Sequence, residues 1–141
     1  MEIRKINAQV SVSGQIQAQE LQQIADAGFK MIINNRPDGE APGQPSNSEL
    51  AEVAESLGLK WYHLPVTMKS MNSEDAKTLG ELLQRAAGPV LAFCRSGRRS
   101  SLLYLMSLLP AKSISEVLEY ARKTGIDTEG LTEFLKFHVH Q

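Results

Sequence analysis

The sequence predicts an α/β domain: a small, mostly parallel sheet flanked by helices. Short β-rich runs, "FKMIINN", "KWYHLPV" and "VLAFC", alternate with longer helical patterns. Each run is bounded by a helix end or by glycine and proline, as expected of strands buried in a layered domain. At 141 residues the chain is long enough to bury one sizeable core. Strands alternating with helices at this spacing argue for a parallel sheet covered on both faces, whose ligands bind beyond the carboxyl ends of the strands.

Taken in order, Ile3 to Ile6 and Val10 to Val12 read as short extended pieces closed by the Ser13-Gly14 turn signal. "QAQELQQIADAG" puts Leu21, Ile24 and Ala25 on one helical face and stops at Gly28. The "FKMIINN" strand ends at Arg36-Pro37-Asp38-Gly39, and "PDGEAPGQPSN" is loop. Asn47 or Ser48 is expected to cap the helix "SELAEVAESLG". After "KWYHLPV", Ser73 with Asp75 nearby opens the helix "SEDAKTLGELLQRAAG", which ends at Gly88. Pro89 leads into "VLAFC", with Cys94 at the strand's carboxyl end. Helices are then expected over about Ser100 to Leu109, Ser115 to Lys123 and Thr128 to His138. No repeat, low-complexity tract or domain boundary interrupts residues 1–141, which read as a single domain.

Composition removes several classes of function. Fifteen basic against sixteen acidic residues leave a net charge of −1, so neither nucleic acid nor an anionic membrane surface is an expected partner. One cysteine makes neither an internal disulfide nor a metal-binding cysteine cluster, and it suits a reducing, cytoplasmic setting. The start, "MEIRKINAQV", lacks the apolar run of a signal peptide, and the longest apolar block, Leu102 to Leu109, falls short of the roughly 20 residues of a membrane span. His138 and His140 have no third ligand nearby, so neither a metal nor another cofactor is expected.

The chemistry concentrates in "AFCRSGRRSS". A strand turning sharply into a helix aims several backbone N–H groups at one spot, and the helix dipole adds positive potential there. Gly97 permits the backbone angles of such a nest. A cysteine with a free pKa of about 8.5 falls to roughly 3.5–7.5 beside cations and a helix N-terminus. Arg95, Arg98 and Arg99 supply cations, and one arginine can grip an oxyanion with two parallel bonds. Cys94 therefore reads as an activated nucleophile beside an anion site rather than a buried small hydrophobe. Ser96 and Ser100 are candidate hydrogen-bond partners of the thiolate, Ser100 also being an expected helix cap. The arginines lack the interleaved aromatics and wider basic surface of a nucleic-acid patch.

The blocks "AQVSVSGQIQAQELQQIADAGFKMIINNRPDGE", "WYHLPV" and "FCRSGRRSSLLYLMS" resemble the bacterial beta-lactamase-hydrolase-like, phosphatase-like domain family over most of the chain. The resemblance implies a protein tyrosine/dual-specificity phosphatase-like fold; members have been named both as phosphatases and as sulfur transferases. Phosphatases of that fold use Cys, five residues, then Arg. Here Ser100 stands at that place and Arg99 follows after four residues, matching the Cys-x-x-Gly-x-Arg loop of rhodanese-like sulfurtransferases. Such phosphatases also carry an aspartate acid on a loop after an earlier strand, yet Thr67 to Asn72 contains no carboxylate. Glu74 and Asp75 read as first-turn helix residues.

Both features lead to the expectation of a sulfurtransferase. Cys94 takes sulfane sulfur from a small anionic or persulfide donor such as thiosulfate. Arg99, with Arg95 or Arg98, holds that donor, and an external thiol, glutathione or a protein cysteine, accepts the sulfur. The alternative is a phosphatase working through a Cys94 phosphoenzyme, with Arg99 on the phosphate. A third reading is a catalytically silent module for an anionic or phosphorylated partner. Arg36, Asp38 and Gln15 are candidate rim residues of the pocket, although a structural ion pair or turn is the leading reading of Arg36 and Asp38. Ser13 and Gly14 belong to the same "SGQ" block as Gln15. His63 reads as a packed or half-exposed strand residue, and Tyr104 and Met106 as core.

Overall fold

A computed structural model describes residues 2–138. Five strands, β1 (Ile3–Lys5), β2 (Val10–Ser13), β3 (Met31–Asn34), β4 (Lys60–His63) and β5 (Val90–Phe93), form one sheet in the order β1-β2-β5-β3-β4. Every pairing is parallel except that of β1 with β2, which only a short connection separates. Six helices follow the chain: α1 (Leu21–Asp26), α2 (Asn47–Ser56), α3 (Ser73–Arg85), α4 (Arg98–Ser107), α5 (Ile114–Lys123) and α6 (Leu131–His138).

The period-2 alternation of the strands divides the core into two layers. Ile32, Leu91 and Phe93 point to one face and pack with Leu21 and Ile24 of α1 and with Leu50 and Ala54 of α2. Met31, Ile33, Val90 and Ala92 point to the other, against α3, α4, α5 and α6. Because both faces are covered, β2, β3 and β5 are buried at every position. Helix α4 runs through the second layer with Ser100 to Met106 all buried, which is why that stretch carries no charged residue on any side. Tyr104 and Met106 are core as expected, and Asn7 donates to the Tyr104 hydroxyl at 2.8 Å.

Several helix starts differ from the sequence expectation, each for a capping reason. Helix α2 is capped by Ser46, not Asn47 or Ser48, because Glu49 stands three residues on and completes a reciprocal capping box. Asn47 instead accepts from the Trp61 indole and the Asn34 amide. Asn72 caps α3 with Asp75 in the same way, and Ser113 with Glu116 moves the start of α5 to Ile114. The helix expected from residue 17 onward opens as a 3-10 turn, Ala18–Glu20, before α1. Thr128 lies in the turn before α6 and accepts from the Leu131 N–H. Helix α4 begins at Arg98 rather than Ser100, capped by Gly97 at φ 94°. His63 is exposed rather than packed, with its Nε2 3.0 Å from the Arg36 carbonyl oxygen. His140 lies outside the described residues.

Candidate active site

The sheet register assembles the site. Ser13 of β2, Phe93 of β5, Asn34 of β3 and His63 of β4 stand in one row at the carboxyl ends of the four parallel strands. The next residue along each chain, Gly14, Cys94, Asn35 and Leu64, enters the connections above that row. β5 is inserted between β2 and β3, so Cys94 emerges at the point where the chain's crossovers part.

Cys94 is 1 % exposed, and the Gly97 N–H donates to its sulfur at 3.1 Å. That bond needs the loop to fold back within three residues, which the left-handed backbone of Gly97 allows. The loop also presses against the end of β2. A Cβ on Gly14 would sit 2.9 Å from the Arg95 carbonyl oxygen, and one on Gly97 would sit 3.3 Å from that of Ser13. Close packing therefore requires glycine at position 14, and the positive φ requires it at position 97. Gln15 braces the same corner, its N–H donating to the Arg95 carbonyl at 3.3 Å.

Arg99 leaves the first turn of α4 and ties three segments together. Its NH1 and NH2 grip the two oxygens of Glu40 at 2.8 Å each, and NH1 also reaches the Val66 carbonyl at 2.9 Å. The Glu40 carboxylate, opposed by burial, raises the Arg99 pKa above its ordinary value, and the Cys94 side chain adds to the effect. Glu40 is held down to about 2 by the Arg99 bonds and, against the smaller opposing effect of burial, by Arg36. Arg36, 4 % exposed, donates Nε to Glu40 at 2.9 Å and NH1 to the Gln15 side chain at 2.9 Å. Gln15, Arg36, Glu40 and Arg99 thus form one continuous frame around the cysteine loop.

Sequence reasoning did not single out Glu40. It lies in a polar loop 59 positions before Arg99, and no spacing rule links the two. The loop that delivers it is braced from within, with Gln44 bonding the Pro37 carbonyl at 2.9 Å and accepting from the Glu40 N–H at 3.0 Å. Asp38 does not pair with Arg36; its carboxylate accepts from the Asn47 N–H at 2.8 Å, at the start of α2. Neither candidate serine bonds the thiol. Ser100, inside α4, donates to Asn35 at 2.8 Å, because the helix turn carries its hydroxyl toward β3. Ser96 accepts from the Arg98 N–H at 3.3 Å, a local turn contact. Arg95 is exposed, and Arg98 reaches the Asp127 carbonyl at 2.8 Å.

A cavity of about 240 Å³ borders the loop, lined by Ser13, Gly14, Gln15, Ser96, Gly97 and Arg4 among others. A larger groove of about 500 Å³ between α3 and the end of α4 contains none of the candidate site residues. Among the described residues, no cluster of three or more histidine, cysteine or carboxylate side chains is placed to hold a metal, and no helix is long and apolar enough to cross a membrane.

The fold is that of a phosphatase-like α/β domain, with a buried cysteine under a backbone N–H, beside an arginine locked by a carboxylate, at the carboxyl edge of the sheet. Residues 2–111 match the family described as "Beta-lactamase hydrolase-like protein, phosphatase-like domain", and the chain belongs to that family. A beta-lactamase hydrolase-like protein of Agrobacterium fabrum is 30 % identical over 138 residues, covering 96 % of this chain and 32 % of its own length. The chain thus spans about a third of that relative.

Among solved structures, a Neisseria meningitidis protein provisionally called a phosphatase superposes with a TM-score of 0.83 at 34 % identity, covering 96 % of each chain. Tk-PTP in its active form superposes with a TM-score of 0.74 at 21 % identity, covering 99 % of this chain and 97 % of that one. At that identity the second likeness concerns the fold alone.

Proposed function

We propose that this domain is a cysteine-dependent phosphatase that forms a phosphoenzyme on Cys94. The observation that carries the reading is the pairing of the Gly97 N–H on the sulfur with an Arg99 guanidinium held rigid by Glu40. An oxyanion brought to the sulfur meets a prearranged N–H donor and a fixed cation, the arrangement that stabilises a transferring phosphoryl group. The phosphatase-like family and the Neisseria meningitidis neighbour support the same chemistry. Arg99 holds the phosphoryl oxygens, Gly97 and its neighbours supply N–H donors, and Arg36 with Gln15 keeps the frame in place.

Sulfur transfer through a Cys94 persulfide, with a thiol such as glutathione as acceptor, is the second reading. The four-residue spacing between Cys94 and Arg99 favours it, because a shorter ring of amides suits a single sulfur better than a tetrahedral phosphate. One experiment separates the two. The purified protein is incubated with 4-nitrophenyl phosphate and, separately, with thiosulfate, and the intact mass and released nitrophenol are measured. Nitrophenol release that disappears in Cys94→Ser supports the phosphatase. A sulfur adduct on Cys94 without nitrophenol release replaces it with the sulfurtransferase. Oxyanion binding that survives Cys94→Ala, without turnover of either compound, leaves a binding module.

A further inference from the structure

Arg95, Arg98 and Arg99 border the cysteine loop, and the carboxylates nearest them, Glu40, Asp38 and Asp127, all accept hydrogen bonds, while Glu2 lines the neighbouring cavity, whose walls include neither Cys94 nor Arg99. Glu40 takes three guanidinium bonds and is held down to about 2. Asp38 accepts from the Asn47 N–H, and Asp127, beside Arg98, accepts from the Glu129 N–H at 3.0 Å. The loop after β4 is a tight turn in which Thr67 and Ser70 bond each other's backbone N–H groups at 3.0 Å, and it carries Lys69 instead of an acid. His63, at the end of β4, has its Nε2 bound to the Arg36 carbonyl. Arg95, Arg98 and Lys69 enter no ion pair among the described residues.

We infer that the site selects phosphoryl donors whose leaving group departs as an anion without being protonated: aryl phosphates, acyl phosphates and phosphoanhydrides, in preference to phosphate esters of alkyl alcohols. The inference rests on the phosphatase reading above. In the first step the Cys94 thiolate forms the S–P bond while the P–O bond to the leaving group breaks, and that oxygen keeps the electron pair as an anion near the cationic rim. Water then forms a new P–O bond, the S–P bond returns its electrons to sulfur, and the water's proton ends on the product phosphate. Neither step draws a proton from the protein. A general acid is worth about 10²–10⁴-fold, and its loss falls hardest on the most basic leaving groups.

The test is kcat/KM, which reports P–O cleavage, for 4-nitrophenyl phosphate, phenyl phosphate, acetyl phosphate and glycerol 2-phosphate. The expected result is a fall of ~10²-fold or more from 4-nitrophenyl to phenyl phosphate, with acetyl phosphate turned over and glycerol 2-phosphate slower still. Glu2→Gln, Asp38→Asn and Asp127→Asn are expected to keep the same ratio between the aryl substrates. A ratio below ~10-fold overturns the inference while leaving the phosphatase intact. So does any of the three variants if it loses phenyl phosphate by ~10²-fold and spares 4-nitrophenyl phosphate, because that identifies a proton donor. No turnover of any of the four, with Cys94 unphosphorylated by intact mass, removes the phosphatase reading and this inference with it.

Discussion

Replacing Glu40 with Gln tests the frame that positions Arg99. The substitution keeps the length of the side chain, removes its charge and exchanges one acceptor oxygen for an NH2 that confronts the guanidinium. In the native structure that carboxylate accepts two bonds from Arg99 and one from Arg36. Its pKa falls from 4.5 to about 2; at about 1.4 kcal/mol per tenfold change in proton affinity, this sets a ceiling of about 3 kcal/mol on its contribution to stability. A quarter of the Glu40 side chain is solvent-accessible, so screening reduces the expected loss in Glu40→Gln to about 1–2 kcal/mol at neutral pH. Because the folded-state pKa is depressed, this stability is fully present above the unfolded value near 4.5 and is lost as pH falls toward 2.

Urea unfolding of the two proteins at pH 7, 5, 4 and 3 should therefore show a gap that narrows below about pH 4.5. Turnover of 4-nitrophenyl phosphate should fall by ~10–10²-fold, since an arginine misplaced by about 1 Å costs that much in rate. The reasoning fails if Glu40→Gln unfolds within 0.5 kcal/mol of the native protein, as ordinary surface substitutions do, and keeps full kcat/KM.

Gly97→Ala places a Cβ at φ 94° and 3.3 Å from the Ser13 carbonyl oxygen, so a stability loss of about 1–2 kcal/mol and a large loss of turnover are expected by urea unfolding and aryl phosphate assay. Ser100→Ala leaves the buried Asn35 side-chain Oδ1 without this donor and should lower stability by about 1–3 kcal/mol, with the midpoint of thermal unfolding as the check. Leu103→Ala opens a cavity in the fully buried middle of α4; about 2–5 kcal/mol should be lost, read as a lower urea midpoint at unchanged m-value.

The strand runs, the helices and the position of Cys94 were legible because each depends on local pattern. "VLAFC" is a four-residue strand followed by its cysteine, and Gly97 and Gly28 have the positive φ that their places in turns require. Helix starts were less legible, since Ser46, Asn72 and Ser113 each compete with a neighbour of similar capping strength. A reciprocal carboxylate three residues on decides the contest. The frame around the cysteine was half legible. Arg36 and Gln15 were visible as residues near strand ends, but their bond to each other spans 21 positions and its partner Glu40 lay unmarked in a loop. Ser100 was assigned to the thiol from its nearness in sequence, whereas the helix directs it to Asn35, 65 residues away.

Taken alone, the sequence determined the layered α/β class, the lone cysteine and the four-residue interval to Arg99, because periodicity, turn residues and covalent spacing are properties of short segments. Tertiary structure decided which groups surround that cysteine. Parallel pairing of β5 between β2 and β3 brings Gly14, Asn35 and the Glu40 loop to Cys94. Burial then makes the resulting contacts selective, since an arginine as enclosed as Arg36 must find acceptors, and it takes the Gln15 amide oxygen and the carboxylate that also holds Arg99.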